Sequence, residues 1–299
     1  MNTLRILIGR NIKLFFKDKG MFFTSLITPL ILLVLYATFL GNVFEDSFRM
    51  VIPEGVAIDD NILSGIVGGQ LLSSLLAVSC VTVAFCSNML MVQDKVTGAA
   101  MDIAMTPVKG STLALGYYIA SFTSTFIISV AAMAAGLIYI SVIGWYITFS
   151  DVMFILFDVF LLVMFGTALS SVINYFLTTQ GQISAVGSIV SSMYGFICGA
   201  YMPISSFGSG VQKMVSFLPG TYATSLLRNH CMGSAFDEFE DSGVPSEIVE
   251  AMRDTVDCNL YFFDKEVAVP VMYLVLGSSM LLLVGIYVLM NYRKSRRIR

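Results

Sequence analysis

The residue types that most enzymes use for chemistry are sparse in this sequence. It contains one histidine, His230, and we expect neither a Ser-His-Asp triad nor a histidine-based metal site. The pattern GxxxxGK[ST], whose backbone cradles nucleotide phosphates, does not occur. The segment SGIVGGQ at 64–70 opens a long apolar stretch, and we interpret it as small residues for helix packing. The sequence therefore predicts no catalytic residues, no metal site and no cofactor bound to this chain.

Polar residues inside otherwise apolar stretches are the remaining candidates, because polar groups within a membrane are costly and often functional. The candidates for a polar pathway are Gln70, Asn88, Asp158 and Asn174. Asp158 lies about two helical turns from the outer end of its stretch, where it could instead reach water. A proton-driven carrier normally uses more buried ionisable groups than this. The energy for any transport must therefore come from elsewhere.

The chain around these residues is too apolar for a water-soluble fold. Of its 299 residues, 57% are hydrophobic and 12% are charged, and the mean hydropathy is +0.83. A soluble domain carries roughly 25% charged residues. We predict an all-α integral membrane protein, with six transmembrane helices in a single domain over residues 1–299. The six segments with roughly 20 apolar residues are 21–40, 62–92, 113–143, 152–178, 183–201 and 267–290.

Basic residues indicate the orientation, because loops rich in Lys and Arg stay on the cytoplasmic side. Residues 1–20, 92–110 and 291–299 together hold twelve of the seventeen Lys and Arg residues. Residues 229–266 instead hold ten carboxylates. We predict a multi-pass protein of the plasma membrane with both termini in the cytoplasm. The tail at 291–299 is interpreted as an orientation signal and headgroup anchor.

Residues 1–20 have the pattern of an amphipathic helix. Leu7 and Phe15 fall with other apolar residues on one face, and Arg10, Lys13 and Lys17 fall on the other. Such a helix lies in the membrane interface with its basic groups toward anionic headgroups. It is either a topology signal alone or a helix that also contacts a cytoplasmic subunit.

The segment 202–266, between the fifth and sixth spans, is expected on the outer side. Pro203 and Pro219 bracket an apolar piece of about 12 residues, which is too short to span a membrane. A second short apolar helix is predicted from Gly220 to Leu227. Broken backbone at membrane depth needs protein or water to satisfy its polar groups. We therefore predict re-entrant or outer helices that cap the membrane domain, and a simple surface loop is the alternative.

Cysteines follow the same division between the spans and the outer segment. Cys231 and Cys258 bracket the acidic part of the outer segment, and an oxidising outer side would allow them to form a disulfide. Cys80, Cys86 and Cys198 lie within predicted spans, where cysteine is a small apolar filler.

One cytoplasmic loop, VQDKVTGAAMDIAMTPVKG at 92–110, interrupts the apolar sequence. We predict a short helix here, which Pro107 ends before the third span. Gly98 gives little bulk where another chain could approach. A plain inter-span hairpin could be far shorter, so the length favours docking on a cytoplasmic partner; an ordinary hairpin is the alternative. The candidate contact residues are Asp94, Lys95, Gly98, Asp102, Thr106 and Pro107.

Three groups of residues, in this order and at these places, resemble a known family. Gly98 stands nine residues before Pro107, in a loop that ends in TPV at 106–108. Gly199 stands four residues before Pro203. The third group is a Pro–x–x–Tyr–x5–Arg run formed by Pro219, Tyr222 and Arg228. Together with six spans and a structured outer segment, they make the chain similar to the membrane subunit of type-2 ABC exporters.

This resemblance implies a partner set and a mechanism. The chain would be a permease that pairs with a second copy or a related chain and with separate ATPase subunits, which would carry ATP and Mg. The loop at 92–110 would contact the ATPase, and Gly199, Pro203, Pro219, Tyr222 and Arg228 would form an outer gate. A hydrophobic or amphipathic cargo, such as a drug, a lipid-linked glycan or a peptide, would move outward between the two permeases.

A non-transporting membrane assembly or sensor protein, or a channel, is the alternative function. A channel would show a repeated polar stripe along at least one span, and none is apparent in the sequence.

Overall fold

The computed structural model describes residues 2–52, 59–263 and 265–298. The regular secondary structure of the described residues is helical apart from one short hairpin. The α-helices are α1 Asn2–Lys17, α2 Lys19–Leu35, α3 Gly41–Val51, α4 Asp60–Val96, α5 Ala99–Ala104, α6 Gly110–Ile143, α7 Phe149–Phe176, α8 Gln180–Ile197, α9 Ser209–Val215, α10 Pro219–Asp241, α11 Ser246–Thr255 and α12 Val269–Ile298. A π-helical turn, Tyr36–Leu40, joins α2 to α3, and a 3₁₀ turn, Ile204–Ser206, precedes α9. Strands β1 Tyr261–Phe262 and β2 Lys265–Glu266 pair antiparallel.

Short polar sequences start the helices on either side of the membrane domain. Thr148 and Asp151 form a capping box at the start of α7, and Thr179 and Gln182 form another at the start of α8. Each side chain binds a backbone N–H that has no partner within the helix. Asp18 accepts a bond from the Met21 N–H at 3.1 Å and so begins α2.

Helix α4 lies at the centre of the bundle. In the most apolar 18-residue stretch of α4, 94% of the residues are buried. The helices that pack on α4 are α2, α6, α7, α8 and α10. Small residues allow the closest approaches: a Cβ at Gly69 would lie 2.5 Å from the Cys231 carbonyl oxygen of α10, and one at Gly166 would lie 3.1 Å from the Val81 Cα. Close backbone packing at small residues is typical of helices in membranes.

Five of the six predicted spans are found as helical stretches that are long and apolar enough to cross a membrane. Within the described residues these are Lys19–Met50, Asp60–Val96, Gly110–Ile143, Phe149–Phe176 and Val269–Arg293. The remaining prediction, 183–201, coincides with α8, which has 18 residues, ends at Ile197 and is less apolar than the five. The first stretch continues well past residue 40, because the chain stays helical through the π turn.

The N-terminal helix α1 packs on α6 with the predicted face. Leu7 and Phe15 are buried, while Lys13 and Lys17 are exposed. Gly116 of α6 allows the approach, since a Cβ there would lie 3.2 Å from the Leu7 Cβ. At the other end of the chain, the predicted anchor includes Arg299, which lies outside the described residues.

The short helix predicted at 220–227 is wrong in length. Helix α10 has 23 residues and continues through the acidic sequence DEFED. Phe236 and Phe239 on this extension are fully buried, in a cluster with residues of α4 and α11. Burial of these rings favours continued helix where the local sequence suggested a break.

Candidate functional site

The loop between α4 and α6 forms a small unit of its own. Gly98 ends α4 with φ +85°, a conformation that costs little only for glycine. The space around its Cα is open, so the backbone conformation, rather than a need for low bulk, explains the glycine. Helix α5 follows, and the Thr106 hydroxyl closes it by donating to the Ile103 carbonyl at 2.6 Å.

Helix α5 presents a mixed surface with no covering element among the described residues. Met101 and Met105 are 68% and 84% exposed, and Val96 just before the helix is also exposed. Asp102 and Pro107 are exposed beside them. Flexible methionine side chains adapt to varied surfaces. This surface is therefore suited to contact another protein.

Asp94 and Lys95, which the sequence suggested as contact residues, instead turn inward. Asp94 is 5% exposed and accepts two bonds from the Arg10 guanidinium, at 2.6 and 2.9 Å, and one from the Tyr117 hydroxyl at 2.5 Å. The bond to Asp94 raises the pKa of Arg10. Asp94 therefore ties α4 to α1 and α6 at the point where α5 begins.

Lys95 ties the same point to α7. Its ammonium donates to the carbonyls of Asn174, Tyr175 and Leu177 at 2.9, 2.8 and 3.0 Å. These carbonyls end α7, where a cation both fills open acceptors and matches the helix dipole. The base of α5 is thus fixed to four helices.

On the opposite side of the bundle, Arg228 and Asp257 form a buried ion pair at 3.1 Å. The other Arg228 amino group donates to the Gly199 carbonyl at 2.6 Å. Asp257 accepts from the backbone N–H groups of Ile204 at 2.6 Å and Ser205 at 3.3 Å. Burial raises the pKa of Asp257, and the charge of Arg228 and the two N–H donors act against that shift.

The ion pair brings two of the predicted outer-gate residues, Gly199 and Arg228, together. Gly199 has φ +78°, and a Cβ there would lie 2.9 Å from Ile204. Pro203 precedes the 3₁₀ turn held by Asp257, and Pro219 is the first residue of α10. Arg228 thus pairs with an acid of the segment 202–266, and the pair is buried and not at the protein surface.

Tyr222 is buried and its hydroxyl donates to the Ser216 carbonyl at 2.6 Å. The hydroxyl therefore holds the turn between α9 and α10 and does not face water. A buried phenol normally finds such a partner.

A comparison with known families identifies the family of this membrane protein. The family model described as ABC-2 type transporter matches residues 2–231, more than three quarters of the chain. The chain belongs to this family. No curated protein matches it. It is therefore a multi-pass ABC-2 permease domain, which has no ATPase site of its own; in this family the nucleotide-binding parts lie on separate subunits.

Within the permease, the predicted polar-pathway residues do not come together. Asn88 donates to the hydroxyls of Ser170 and Ser171 at 3.0 and 2.7 Å and accepts from Ser121 at 3.3 Å, so it joins α4, α6 and α7. Gln70 is fully buried, and neither its amide nitrogen nor its oxygen has a partner among the described residues. Asn174 is buried at the end of α7.

Asp158 does not reach water in the permease. It is 2% exposed, and it bonds to His230 Nδ1 and the Tyr273 hydroxyl, both at 2.6 Å. Phe154 stacks on the His230 ring at 5.0 Å. The carboxylate therefore joins α7, α10 and α12. This role of His230 was not predictable from the sequence, because nothing local connects residues 72 positions apart.

The predicted disulfide is absent: Cys231 and Cys258 are free and buried. Cys231 packs between α10 and α4, and Cys258 belongs to a separate apolar cluster. Burial raises the pKa of the Cys258 thiol to about 12, which keeps it protonated near neutral pH.

Helix α8 carries a polar stripe that the sequence analysis did not recognise. Ser184, Ser188 and Ser192 recur at i, i+4 and i+8 and are all exposed. Among the residues of α8, only Ile183 and Gly195 are buried. The regular serine spacing is visible in the sequence, but the surrounding Ile and Val residues make the segment read as a uniformly apolar span.

Proposed function

We propose that this permease is half of the membrane pathway of an ATP-driven exporter. It pairs with a second copy or a related chain and with separate ATPase subunits that hold ATP and Mg. Both termini and α5 lie in the cytoplasm, α8 is the fifth of six spans, and residues 202–266 lie outside. The family assignment and the distribution of basic residues support this arrangement.

The observation that carries the proposal is the way α5 is attached. Its exposed surface suits an ATPase, while Asp94 and Lys95 at its base bind α1, α6 and α7. A push on α5 therefore moves four helices together. Such a rigid connection would turn ATPase closure into tilting of the spans, a shear or hinge motion typical of switching proteins.

Helix α8 is the element best suited to line the pathway. Its serine stripe is exposed, and the rest of the bundle covers little of it. A second permease copy facing this helix would place serines from both copies along one route. The Met and Phe residues of the spans suit a hydrophobic or amphipathic cargo.

The proposal is tested by reversing one exposed charge on α5. Asp102→Lys should abolish the stimulation of ATP hydrolysis that the permease gives its ATPase, measured with purified proteins in liposomes. Glu247→Lys, on the exposed surface of α11, is the matched control and should leave stimulation unchanged. Equal hydrolysis with both variants would remove α5 from the coupling route.

The serine stripe also favours a second candidate function, a channel. A channel would conduct ions or solutes down a gradient without nucleotide. Flux through liposomes containing the permease alone would support it, and flux that requires the ATPase and ATP would exclude it.

A further inference from the structure

A cleft opens beside α9 and the β1–β2 hairpin. Its volume is about 420 Å³, within the range of roughly 300–1,000 Å³ for small-molecule sites. The start of the 3₁₀ turn, one face of α9 and the chain from Asp254 to Phe263 line it. No residue of the loop 92–110 lines this cleft.

The segment 209–217, which is α9 and the two residues after it, presents three different faces around the cleft. Val215 is buried against the bundle. The polar residues Ser209, Gln212, Lys213 and Ser216, spaced at i, i+3, i+4 and i+7, line the cleft. Val211, Met214 and Phe217 are instead exposed, with Phe217 63% and Met214 72% accessible. A polar cavity thus adjoins an uncovered apolar surface on the same short segment.

Three charged residues line the cleft, namely Lys213, Asp254 and Asp257. The Lys213 ammonium lies over the Phe263 ring, 5.8 Å from its centre. Asp254 accepts bonds from Asn259 Nδ2 at 2.9 Å and the Tyr261 hydroxyl at 3.1 Å, both on Oδ1, so these bonds leave Oδ2 for a ligand. The remaining acid, Asp257, is already held by Arg228 and two backbone N–H groups.

We propose that this cleft binds the headgroup of a zwitterionic phospholipid, with the phosphate at Lys213 and the ammonium at Asp254. The acyl chains lie along the exposed apolar face of α9. A neutral sugar would leave both charges unmatched, and an anionic headgroup would match only Lys213. The site rests on the proposed function only for its placement at the outer leaflet.

Native mass spectrometry of the full chain in detergent tests this assignment, with phosphatidylethanolamine or phosphatidylglycerol added at equal concentration. The unaltered protein should retain phosphatidylethanolamine about tenfold better, because only that lipid satisfies both charges. Lys213→Ala should weaken retention of both lipids. Asp254→Asn should remove the preference, while Lys213→Arg should keep it.

Lys265→Ala and Glu247→Gln remove exposed charges that do not line the cleft, and they are the matched controls. Equal retention of the two lipids by the unaltered protein, or the same retention with Lys213→Ala and Asp254→Asn as with the controls, would overturn the proposal. A melting temperature measured for each variant separates lost binding from lost folding. The assay needs no ATPase, so its failure leaves the coupling proposal intact, and failure of coupling leaves lipid retention intact.

A resident membrane lipid and an exported lipid share this headgroup chemistry. Transfer of labelled phosphatidylethanolamine across liposomes containing the permease and its ATPase distinguishes them. Loss of transfer with Lys213→Ala identifies cargo, and unchanged transfer with lost retention identifies a resident lipid. Both outcomes uphold the headgroup site.

Discussion

Arg228 and Asp257 are almost wholly shielded from solvent, with 1% and 7% of their side chains exposed. Removing one charge from such a pair leaves the other buried without compensation, whereas an exposed pair can be broken at little cost. Asp257 also holds the Ile204 and Ser205 N–H groups. The pair therefore positions the backbone that follows α8.

Asp257→Asn should destabilise the protein by about 3–5 kcal/mol, because it leaves the Arg228 charge buried and unmatched. Thermal unfolding of the purified protein in detergent measures the effect. Asp237→Asn is the matched control: its side chain is 72% exposed and pairs with Arg253 at 3.0 Å, so a cost of about 0–1 kcal/mol is expected. Equal melting temperatures for the two variants would contradict the importance of the buried pair.

Arg228 was predictable as a site residue from its spacing to Pro219 and Tyr222, but its partner was not. Ten carboxylates lie at 229–266, and only the folded chain shows which of them is buried beside Arg228. Asp158 gave the same difficulty, because its partners His230 and Tyr273 lie on two other helices. Residue types near a site were predictable, and long-range pairings were not.

At the scale of elements, the proposed coupling through α5 depends on the base of this helix as much as on its surface. Asp94 connects α4 with α1 and α6, and Lys95 connects it with α7. The exposed surface of α5 is built from other residues, among them Met101 and Met105. Variants at the base and at the surface should therefore fail in different ways.

Asp94→Asn should lower export while the ATPase still binds, because the change loosens α1 and α6 from α4 but leaves the surface of α5 in place. An amide also offers a weaker acceptor to the Arg10 guanidinium than a carboxylate does. Co-purification of the ATPase and export from liposomes are measured side by side. Loss of ATPase binding in this variant, or unaltered export, would contradict the proposed role of Asp94 at the base of α5.

Most of the elements could be predicted because long apolar stretches have few alternatives in a membrane. Five of six predicted spans correspond to long apolar helices. Helix α8 departs from this pattern because its serines and two glutamines lower its apolar character. Helix α10 is longer than predicted because Phe236 and Phe239 bury themselves against α4 and α11, a tertiary effect that a local window does not contain.

At the scale of the whole molecule, α4 links the proposed coupling loop to the region around Arg228. The C-terminal end of α4 continues into α5. Gly69, near the N-terminal end of α4, packs on Cys231 of α10, one turn beyond Arg228. A buried central helix with close packing shifts as a unit instead of bending locally. Motion at the coupling loop is therefore expected to reach the outer segment through α4 and α10.

The central claim, that α5 couples an ATPase to export, is tested most directly by replacing residues 96–106 with a Gly/Ser linker of equal length. Liposomes containing this variant and the ATPase are assayed for ATP-dependent export, and the ATPase yield is measured on co-purification. As this claim requires, we expect loss of both, with the melting temperature of the membrane bundle retained. ATPase recovered at the unaltered yield, together with normal export, would contradict it.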